Sequence, residues 1–421
     1  MPIPIASLLL AAFLLQTPSL DSVSPKERGE AIEKLAVLGN AQAIPALAAA
    51  YKKEPKSDLR AEIVAGLSRI HDKAAIAPIG EALRTDLDKD VRLQAIDSLL
   101  RLYISIDEGN GPLRTIFNKV KSAFFYPERP MVGAEVKVDN AATTVLAEAM
   151  QKDFDDGVRI EAARALGSLK AKDQVPALIT AMEDPKNREH SKVRLEMIRT
   201  LGIIRDPAAG PALEKALRDK DRAVVGESAA ALGMVGYRPA RPVVEALFRS
   251  SSDRIVRRKA LEGMAVMRDP GSAALFESLL GHSDDYYREL AAEGLARIHH
   301  DPAVLKDRYA QEKKTNVRNA LAFALAAAGE NNAINDLANA LDSSQEPQVH
   351  VYLVELGKFE GKLDELHRYL RSTSPKVRAR MVNVVGDIGN PASRALVQPL
   401  AEDPNIEVAR EAVAALRKLS R

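Results

Sequence analysis

The stretch VRIEAARALGSL, residues 158–169, decides the fold. Its apolar residues Val158, Ala162, Leu166 and Leu169 are spaced i, i+4, i+8 and i+11. This spacing places them on one face of an α-helix, because a helix turns once every 3.6 residues. The segment is therefore predicted to be an amphipathic helix with one face in a core.

The same phrase, an apolar residue followed by Arg and a helical stretch, recurs along the chain. From Val193 onward, neighbouring copies begin about 28–32 residues apart, a period typical of helical solenoids. Other copies begin at Leu59, Val91, Val193, Val224, Val256, Tyr287, Val317, Val377 and Val408, with a degraded copy near Gln348 and an opening copy at Glu27.

A second, shorter helix is predicted between successive phrases, as in AIPALAAAY at residues 43–51. Proline falls in the first turn of these helices, where no intrahelical hydrogen bond is lost. The prolines are Pro45, Pro78, Pro176, Pro211 and Pro242. Asp-Pro and Asn-Pro dipeptides, such as Asp206–Pro207, follow the longer helices and separate the units.

This pattern resembles the HEAT-repeat superfamily, specifically the short bacterial variety named after phycobilisome-lyase repeats. The resemblance rests on the Val-Arg pairs, the Asp-Pro breaks and the Leu-Gly dipeptides, such as Leu166–Gly167. It implies an all-α fold, a right-handed α-α superhelix of about eleven helix pairs after an N-terminal capping helix. Residues 22–421 are expected to form one solenoid, interrupted by an insertion at 105–140.

Composition excludes several kinds of protein. The chain has no cysteine, which removes disulfide scaffolds, cysteine-based zinc sites and iron–sulfur clusters. Its 60 basic and 58 acidic residues nearly balance, so wrapping of nucleic-acid phosphates is disfavoured. A hydrophobic content of 46% supports a large core.

The N-terminal run IASLLLAAFLL, residues 5–15, is too short to span a membrane, which takes about 20 apolar residues. We expect residues 1–21 to be a signal peptide and the product to be periplasmic or secreted, with no stable membrane anchor. No basic residue precedes Lys26, so an apolar cap on a cytoplasmic solenoid is the alternative.

An arginine near the start of most phrases forms a column that is expected to be structural. By resemblance to HEAT proteins, it makes a ladder with aspartates in the turn between paired helices. Several arginines have an Asp four residues earlier, at Asp88, Asp155, Asp253 and Asp284. The column is Arg60, Arg92, Arg159, Arg194, Arg257, Arg288, Arg318 and Arg378.

Charged residues at the fourth, seventh and eleventh phrase positions share one helix face. In HEAT proteins this face lines the concave surface, and its mixed charge fits a protein or peptide partner. A solvated face with local ion pairs is the alternative. The candidate partner-binding residues are Glu161, Arg164, Glu196, Arg199, Glu227, Lys259, Glu262, Glu293 and Arg297. Phe323 interrupts this face. It is either an aromatic anchor for the partner or a residue of the core.

The insertion at 105–140 concentrates aromatic residues, which are favoured as interface anchors. Four of them are candidate partner-binding residues: Phe117, Phe124, Phe125 and Tyr126. Packing back over neighbouring repeats is the alternative.

Enzymes of this superfamily include deoxyhypusine hydroxylase, which holds two irons with His-Glu dipeptides, and phycobilin lyases. None of the seven histidines here is followed by Glu, and the adjacent His299 and His300 point about 100° apart. No phosphate-binding Gly-rich loop or Gly-x-Ser-x-Gly motif occurs. Catalytic residues, metals and cofactors are therefore not expected.

The sequence thus predicts an exported, non-enzymatic scaffold or regulatory adaptor. It would bind a protein or peptide, and not nucleic acid, through the charged face, the insertion or both. The alternative is an enzyme or a lyase-like enzyme subunit that binds a ligand in the groove.

Overall fold

The computed structural model describes residues 19–104, 131–133, 136–187 and 189–419. The predicted signal peptide up to residue 18 lies outside these ranges, as do the four aromatic residues of the insertion. Those residues are Phe117, Phe124, Phe125 and Tyr126. The contacts divide the chain into two compact units, of which the first ends at Ala231 and the second begins at Leu232.

Unit 1 consists of α-helices that are mostly joined by short turns, whereas residues 102–139, described only in part, separate α5 from α6. Its helices are α1 (Pro25–Val37), α2 (Ala43–Lys53), α3 (Ser57–Arg69), α4 (Ile76–Thr85), α5 (Lys89–Arg101), α6 (Asn140–Lys152), α7 (Asp156–Ser168), α8 (Val175–Glu183), α9 (Ser191–Ile204), α10 (Gly210–Ala216) and α11 (Arg222–Met234). The division between the units falls within α11.

Unit 2 repeats the same arrangement. Its helices are α12 (Arg241–Ser250), α13 (Arg254–Met267), α14 (Ala273–Leu279), α15 (Asp285–Arg297), α16 (Pro302–Gln311), α17 (Thr315–Ala327), α18 (Ala333–Ala340), α19 (Glu346–Phe359), α20 (Leu363–His367), α21 (Pro375–Ile388), α22 (Arg394–Val397) and α23 (Ile406–Leu419). Over the described residues, eleven pairs follow the unpaired α1, so the predicted all-α class and succession of helix pairs are confirmed.

The longer, second helix of a pair begins where an oxygen-bearing side chain satisfies its first free N–H groups. Asp155 accepts hydrogen bonds from the N–H groups of Gly157 and Val158, at 2.8 and 3.1 Å. Asp88, Asp253 and Asp284 cap α5, α13 and α15 in the same way. In the shorter, first helices, the five prolines noted above lie within the first turn.

Many of the second helices end at a residue in the left-handed conformation, which closes the last turn. Glycine, which adopts this conformation at little cost, is found at five such positions with positive φ, for example Gly389 at the end of α21. Non-glycine residues hold the others: His71, Lys170, Arg205, Arg268 and His299. His71 and His299 are therefore the residues at which α3 and α15 reverse into the next turn.

The core lies between the two helices of each pair and between neighbouring second helices. In unit 1, α3 packs on α5 and α7 on α9, while in unit 2 α15 packs on α17 and α21 on α23. The apolar face predicted for residues 158–169 is buried, with Val158, Ala162 and Leu166 fully enclosed. Among the described residues, no helix is both long and apolar enough to cross a bilayer.

The glycine of the Leu-Gly dipeptide has different surroundings in different repeats. At Gly233 in α11, a Cβ atom would overlap the backbone carbonyl of Gly263 in α13. At Gly167 in α7, a Cβ atom would lie 3.5 Å from Cγ2 of Thr200, an ordinary contact. Glycine is thus a packing requirement at position 233 and dispensable at position 167.

We expect Gly233→Ala to lower the free energy of unfolding by about 2–3 kcal/mol, because backbone must move to admit the methyl group. Gly167→Ala is the matched control and should be neutral or stabilising by up to about 1 kcal/mol, the helix-propensity gain. Urea unfolding followed by circular dichroism measures both. Equal losses in the two variants would contradict this account of the packing.

Candidate functional site

The arginine column forms a ladder that ties each repeat to the next. Arg92 donates from Nε and Nη2 to the two carboxylate oxygens of Asp153, at 2.8 and 3.1 Å. Its Nη1 donates to the carbonyl oxygens of Asp86 and Leu87, at 2.9 and 3.2 Å. One planar guanidinium therefore fixes its own turn and the following turn together.

We call the contact between one repeat and the next a step of the ladder. Five steps share this geometry, in which the Nε and Nη2 atoms of the arginine bind a carboxylate of the next repeat. The pairs are Arg28–Glu54, Arg60–Asp86, Arg92–Asp153, Arg288–Glu312 and Arg378–Asp403. In the same turns, the carboxylate also accepts the N–H group two residues later, as Asp86 does from Asp88 at 2.8 Å. The ladder carboxylate therefore stabilises both the turn and the stacking of the repeats.

The ladder carboxylates are not the aspartates expected from the sequence. The Asp four residues before each arginine caps the helix, as Asp88 and Asp155 do. In the uninterrupted repeats, the true partner lies 24–26 residues after the arginine. The signal in the sequence is an acidic residue six positions before the next arginine, as with Asp86 and Arg92.

Four predicted ladder arginines depart from this geometry. Arg159 binds Asn187 and Asp156, and Arg194 binds Asp219 through Nη1 and Nη2.

The other two, Arg257 and Arg318, donate only to backbone carbonyls among the described groups. His282 and Ser343 stand where other repeats supply the carboxylate, and each accepts the N–H group two residues later. These two steps therefore lack the ionic part of the ladder.

In unit 1 the predicted partner-binding charges pair with one another across neighbouring second helices. Arg164 contacts Glu161 at 2.8 Å and Glu196 at 3.2 Å. Arg199 contacts Glu196 at 3.7 Å and Glu227 at 3.4 Å. Glu196 and Glu227 are almost fully buried, so they hold the helices together rather than present a surface to a partner.

In unit 2 the predicted charges begin with the pair Lys259–Glu262, at 3.0 Å, where Glu262 also accepts from the Tyr286 hydroxyl. The next two predicted residues, Glu293 and Arg297, are only 3% and 4% exposed. They belong to a set of interacting polar side chains that we call the carboxylate network. Its members are Arg268, Glu289, Glu293, Arg297, Asn316, Gln348, Tyr352, Glu355 and Glu360.

The buried centre of the network is the guanidinium of Arg297. It binds both oxygens of Glu355, at 2.9 and 3.0 Å, and one oxygen of Glu293, at 3.1 Å. The Tyr352 hydroxyl donates to the other Glu293 oxygen at 2.5 Å. Burial acts in the opposite direction, but Arg297 and Arg268 hold the pKa of Glu355 below its usual value.

Glu289 lies at the accessible end of the network and is held by two amides. The side-chain nitrogens of Asn316 and Gln348 donate to its two carboxylate oxygens, at 2.7 and 2.5 Å. Gln348 connects it to Tyr352, at 2.9 Å from the hydroxyl oxygen. Burial, reinforced by the nearby charge of Glu293, raises the pKa of Glu289 to about 7.

Sequence reasoning missed Glu289, Tyr352 and Glu355. Tyr352 and Glu355 belong to the degraded copy near Gln348, where the phrase is hard to align. Glu289 occupies the third phrase position, one place from those assigned to the charged face. Phe323 is a core residue: it is fully buried and stacks on Tyr352 with 4.7 Å between ring centroids.

The histidines do not assemble a metal site in the described part of the chain. There, no three His, Asp or Glu side chains are placed to hold a metal ion together. His299 contacts Glu360 at 3.2 Å, while the adjacent His300 turns away to Glu277, at 2.9 Å. The two rings thus serve different elements. Both follow the end of α15, so the left-handed turn at His299, and not the helical spacing assumed from the sequence, separates them.

We expect Arg92→Ala to destabilise unit 1 by about 3–5 kcal/mol, because it leaves the buried carboxylate of Asp153 without its cation. Arg257→Ala is the matched control, since Arg257 has no carboxylate partner among the described residues, and should cost about 1 kcal/mol. Denaturant unfolding compares them. Similar losses in both variants would show that the carboxylate contributes little.

The carboxyl of Glu289 is protonated in the folded chain up to about pH 7 and ionised above about pH 4.5 when unfolded. Its contribution to stability is therefore lost as pH rises from about 5 to 7, by up to about 3 kcal/mol. Glu289→Gln should remove this pH dependence, whereas the exposed control Glu402→Gln should keep it. Unfolding free energies at pH 5 and 8 measure the difference, and parallel curves for wild type and Glu289→Gln would refute the assignment.

Comparison with known proteins finds enzymes among the relatives. The chain is 26% identical over 237 residues to deoxyhypusine hydroxylase of Candida albicans, covering 55% of this chain and 70% of that enzyme. It is 27% identical over 224 residues to deoxyhypusine hydroxylase of Schizosaccharomyces pombe, covering 50% and 65%. The prediction of a non-enzymatic scaffold is therefore wrong: it treated missing motifs as missing activity, and the relatives support the enzyme alternative.

The iron centre attributed to deoxyhypusine hydroxylase does not fit this chain. That centre uses His-Glu dipeptides, and none of the seven histidines here precedes a glutamate. The described histidines also bring no second and third ligand together. No chemical step through such a centre is derived for this protein.

Structural and family comparisons agree on the repeat. Yeast importin-beta (Kap95p) matches 99% of this chain and 62% of its own, with a TM-score of 0.52 at 11% identity, a likeness of fold alone. A complex of CpcE and CpcF of phycocyanin lyase from Nostoc matches 60% of this chain and 98% of its own, with a TM-score of 0.42 at 20% identity. The family model of HEAT repeats matches residues 15–100, 143–225, 186–265 and 363–421. The predicted resemblance is confirmed: the chain belongs to the HEAT-repeat family.

Proposed function

We propose that this protein is an enzyme, or the ligand-binding subunit of one, with its reaction site at the Glu289 end of the carboxylate network. The observation that carries the proposal is the largely buried carboxyl of Glu289, held by the side-chain amides of Asn316 and Gln348 and without an ion pair among the described residues. Burial and the charge of Glu293 raise its pKa to about 7. Displaced pKa values of this kind cluster at functional sites. The enzymatic relatives support the class of function, but they are matched over only 63–70% of their own length.

The chemistry that Glu289 supplies is proton transfer. A carboxyl with a pKa near neutral pH is present in both protonation states and serves as a general acid or base. Asn316 and Gln348 orient it through one hydrogen bond to each oxygen. Among the described residues it has no ion pair, so no cation holds it in the charged form.

The other residues of the network lie on the buried side of Glu289 and influence its protonation. Tyr352 and Glu355 are buried and do not meet a ligand. Glu293 lies next to Glu289 and disfavours its ionised form. Arg297 is occupied by Glu293 and Glu355, and is not available to neutralise Glu289. The buried charges thus set the protonation of the group that reaches the surface.

A protein or peptide is the ligand class we assign to this site. Glu289, Asn316 and Gln348 come from three successive second helices, α15, α17 and α19, and are partly exposed. A polypeptide segment crossing these helices would meet carboxylate and amide acceptors spaced along its length. Phosphate-rich partners are disfavoured here, because carboxylates outnumber cations in the network.

The proposal is tested by comparing reaction products formed by wild type and variants. The full chain, isolated with its co-purifying proteins, is incubated with extract from the source organism, and products are quantified by mass spectrometry. We expect products formed by wild type to fall about 100-fold or more with Glu289→Gln, the typical contribution of a general acid or base. The exposed-site control Glu402→Gln should retain them.

Failure of wild type to change any peptide or metabolite would count against an enzyme. Equal product formation by Glu289→Gln would remove Glu289 from the reaction. Circular dichroism of each variant establishes that a loss of products does not reflect unfolding.

A further inference from the structure

A cavity of about 380 Å³ opens in unit 1, distant in the sequence from the carboxylate network. It is open to solvent on one side and is lined by residues of α8, α9, α10, the turn that follows α10 and the start of α11. Pockets that bind small molecules commonly measure about 300–1,000 Å³. The space is therefore large enough for a small molecule rather than for a single ion.

Basic side chains outnumber acidic ones in the wall. Arg194, Lys215, Arg218 and Lys220 line the cavity, against Glu183 and Asp219. Several of these charges are already paired: Lys215 contacts Glu183 at 2.9 Å, and Lys220 contacts Glu189, outside the wall, at 2.9 Å.

Arg194 binds Asp219, and Arg218 forms no ion pair among the described residues. The wall thus retains an excess of positive charge.

Arg194 presents an unsatisfied donor in this wall. It is only 6% exposed, and its Nε–H has no acceptor among the described atoms. In the regular ladder steps, Nε and Nη2 hold the carboxylate, whereas Arg194 uses Nη1 and Nη2 for Asp219. This donor is itself buried, so Arg194 adds positive charge to the wall and does not offer its Nε–H to a ligand in the cavity.

The cavity is open at this point because Val225 replaces a ladder arginine. This valine occupies the place of the ladder arginine, six residues after Asp219. In regular repeats, this arginine donates Nη1 to the carbonyls at the start of the turn, as Arg92 does to Asp86. With valine here, no guanidinium fills the region beside Asp219 and Lys220.

We propose that this cavity binds a small organic anion, a phosphate monoester or a carboxylate that carries an apolar part. The anionic group would accept from the guanidinium of Arg218, which has no ion pair among the described residues, as charge-assisted hydrogen bonds favour. The apolar part would contact Met182, Ala212 and Val224, which also line the space. This binding is independent of the reaction proposed at Glu289.

The test measures binding of phenyl phosphate to the full chain by isothermal titration calorimetry at low salt. We expect saturable one-site binding, weaker by about tenfold in Arg218→Ala, the loss typical of one hydrogen bond to a charged group. Arg238→Ala is the matched control, because Arg238 is exposed and does not line the cavity, and it should bind as wild type does.

A second variant keeps the charge and fills the space. Ala216→Leu adds side-chain volume to a residue of the wall and should abolish binding of phenyl phosphate. Inorganic phosphate should bind more weakly than phenyl phosphate, because it lacks the apolar part. Absence of binding to wild type, equal loss in the Arg238→Ala control, or unchanged binding in both cavity variants would overturn the proposal.

Discussion

The fork of an arginine on a carboxylate of the next repeat is the contact on which the array depends. A helix pair exposes apolar surface on both sides and is stable only when neighbours cover it. Hydrophobic contact alone is not directional, so it leaves the register between pairs free to slip. The bidentate bond fixes that register because both nitrogens and both oxygens must meet in one plane. At Arg92 and Asp153 the bond is almost fully buried, so breaking it exposes two charges to an apolar environment.

A fixed register aligns the same phrase positions on successive second helices. Charges at these positions then meet across helices rather than along one helix, as Arg199 does with Glu227. In unit 2 the stacking of α15, α17 and α19 brings Arg297 onto Glu355, although Arg318 of α17 makes no ladder ion pair among the described residues. Burying these charges is costly unless each has a partner, and the network supplies one for Arg297, Glu293 and Glu355. Of the carboxylates in the network, Glu289 is the one without an ion pair among the described residues, and it is the group to which we assign proton transfer.

Much of the fold was predictable, because helix pairs obey local rules. Periodicity located the second helices, and the prolines located the starts of the first helices. The ladder partner was missed for a physical reason: Asp88 is near Arg92 in sequence but caps the helix, whereas Asp153 meets Arg92 only after the next pair has stacked. Contacts between repeats depend on that stacking, which no local pattern in the sequence encodes.

The site was less predictable than the fold. Glu293 and Arg297 were correctly assigned to one face, but their burial follows from Glu355 and Tyr352, two repeats later. The raised pKa of Glu289 arises from burial and from the neighbouring charge of Glu293. Neither can be read from the sequence, because both depend on how the repeats stack. The absence of short motifs also led to the wrong prediction of a non-enzymatic protein, because an enzyme can lack every motif that was sought, and the relatives are enzymes.

The central claim is that the stacked repeats hold one carboxyl ready for proton exchange near neutral pH. Its most direct test is a titration of the glutamate side-chain carboxyl carbons by nuclear magnetic resonance, with Glu289 assigned by its absence in Glu289→Gln. The account predicts a midpoint for Glu289 at about pH 7. A midpoint near pH 4.5, the ordinary value for glutamate, would contradict it.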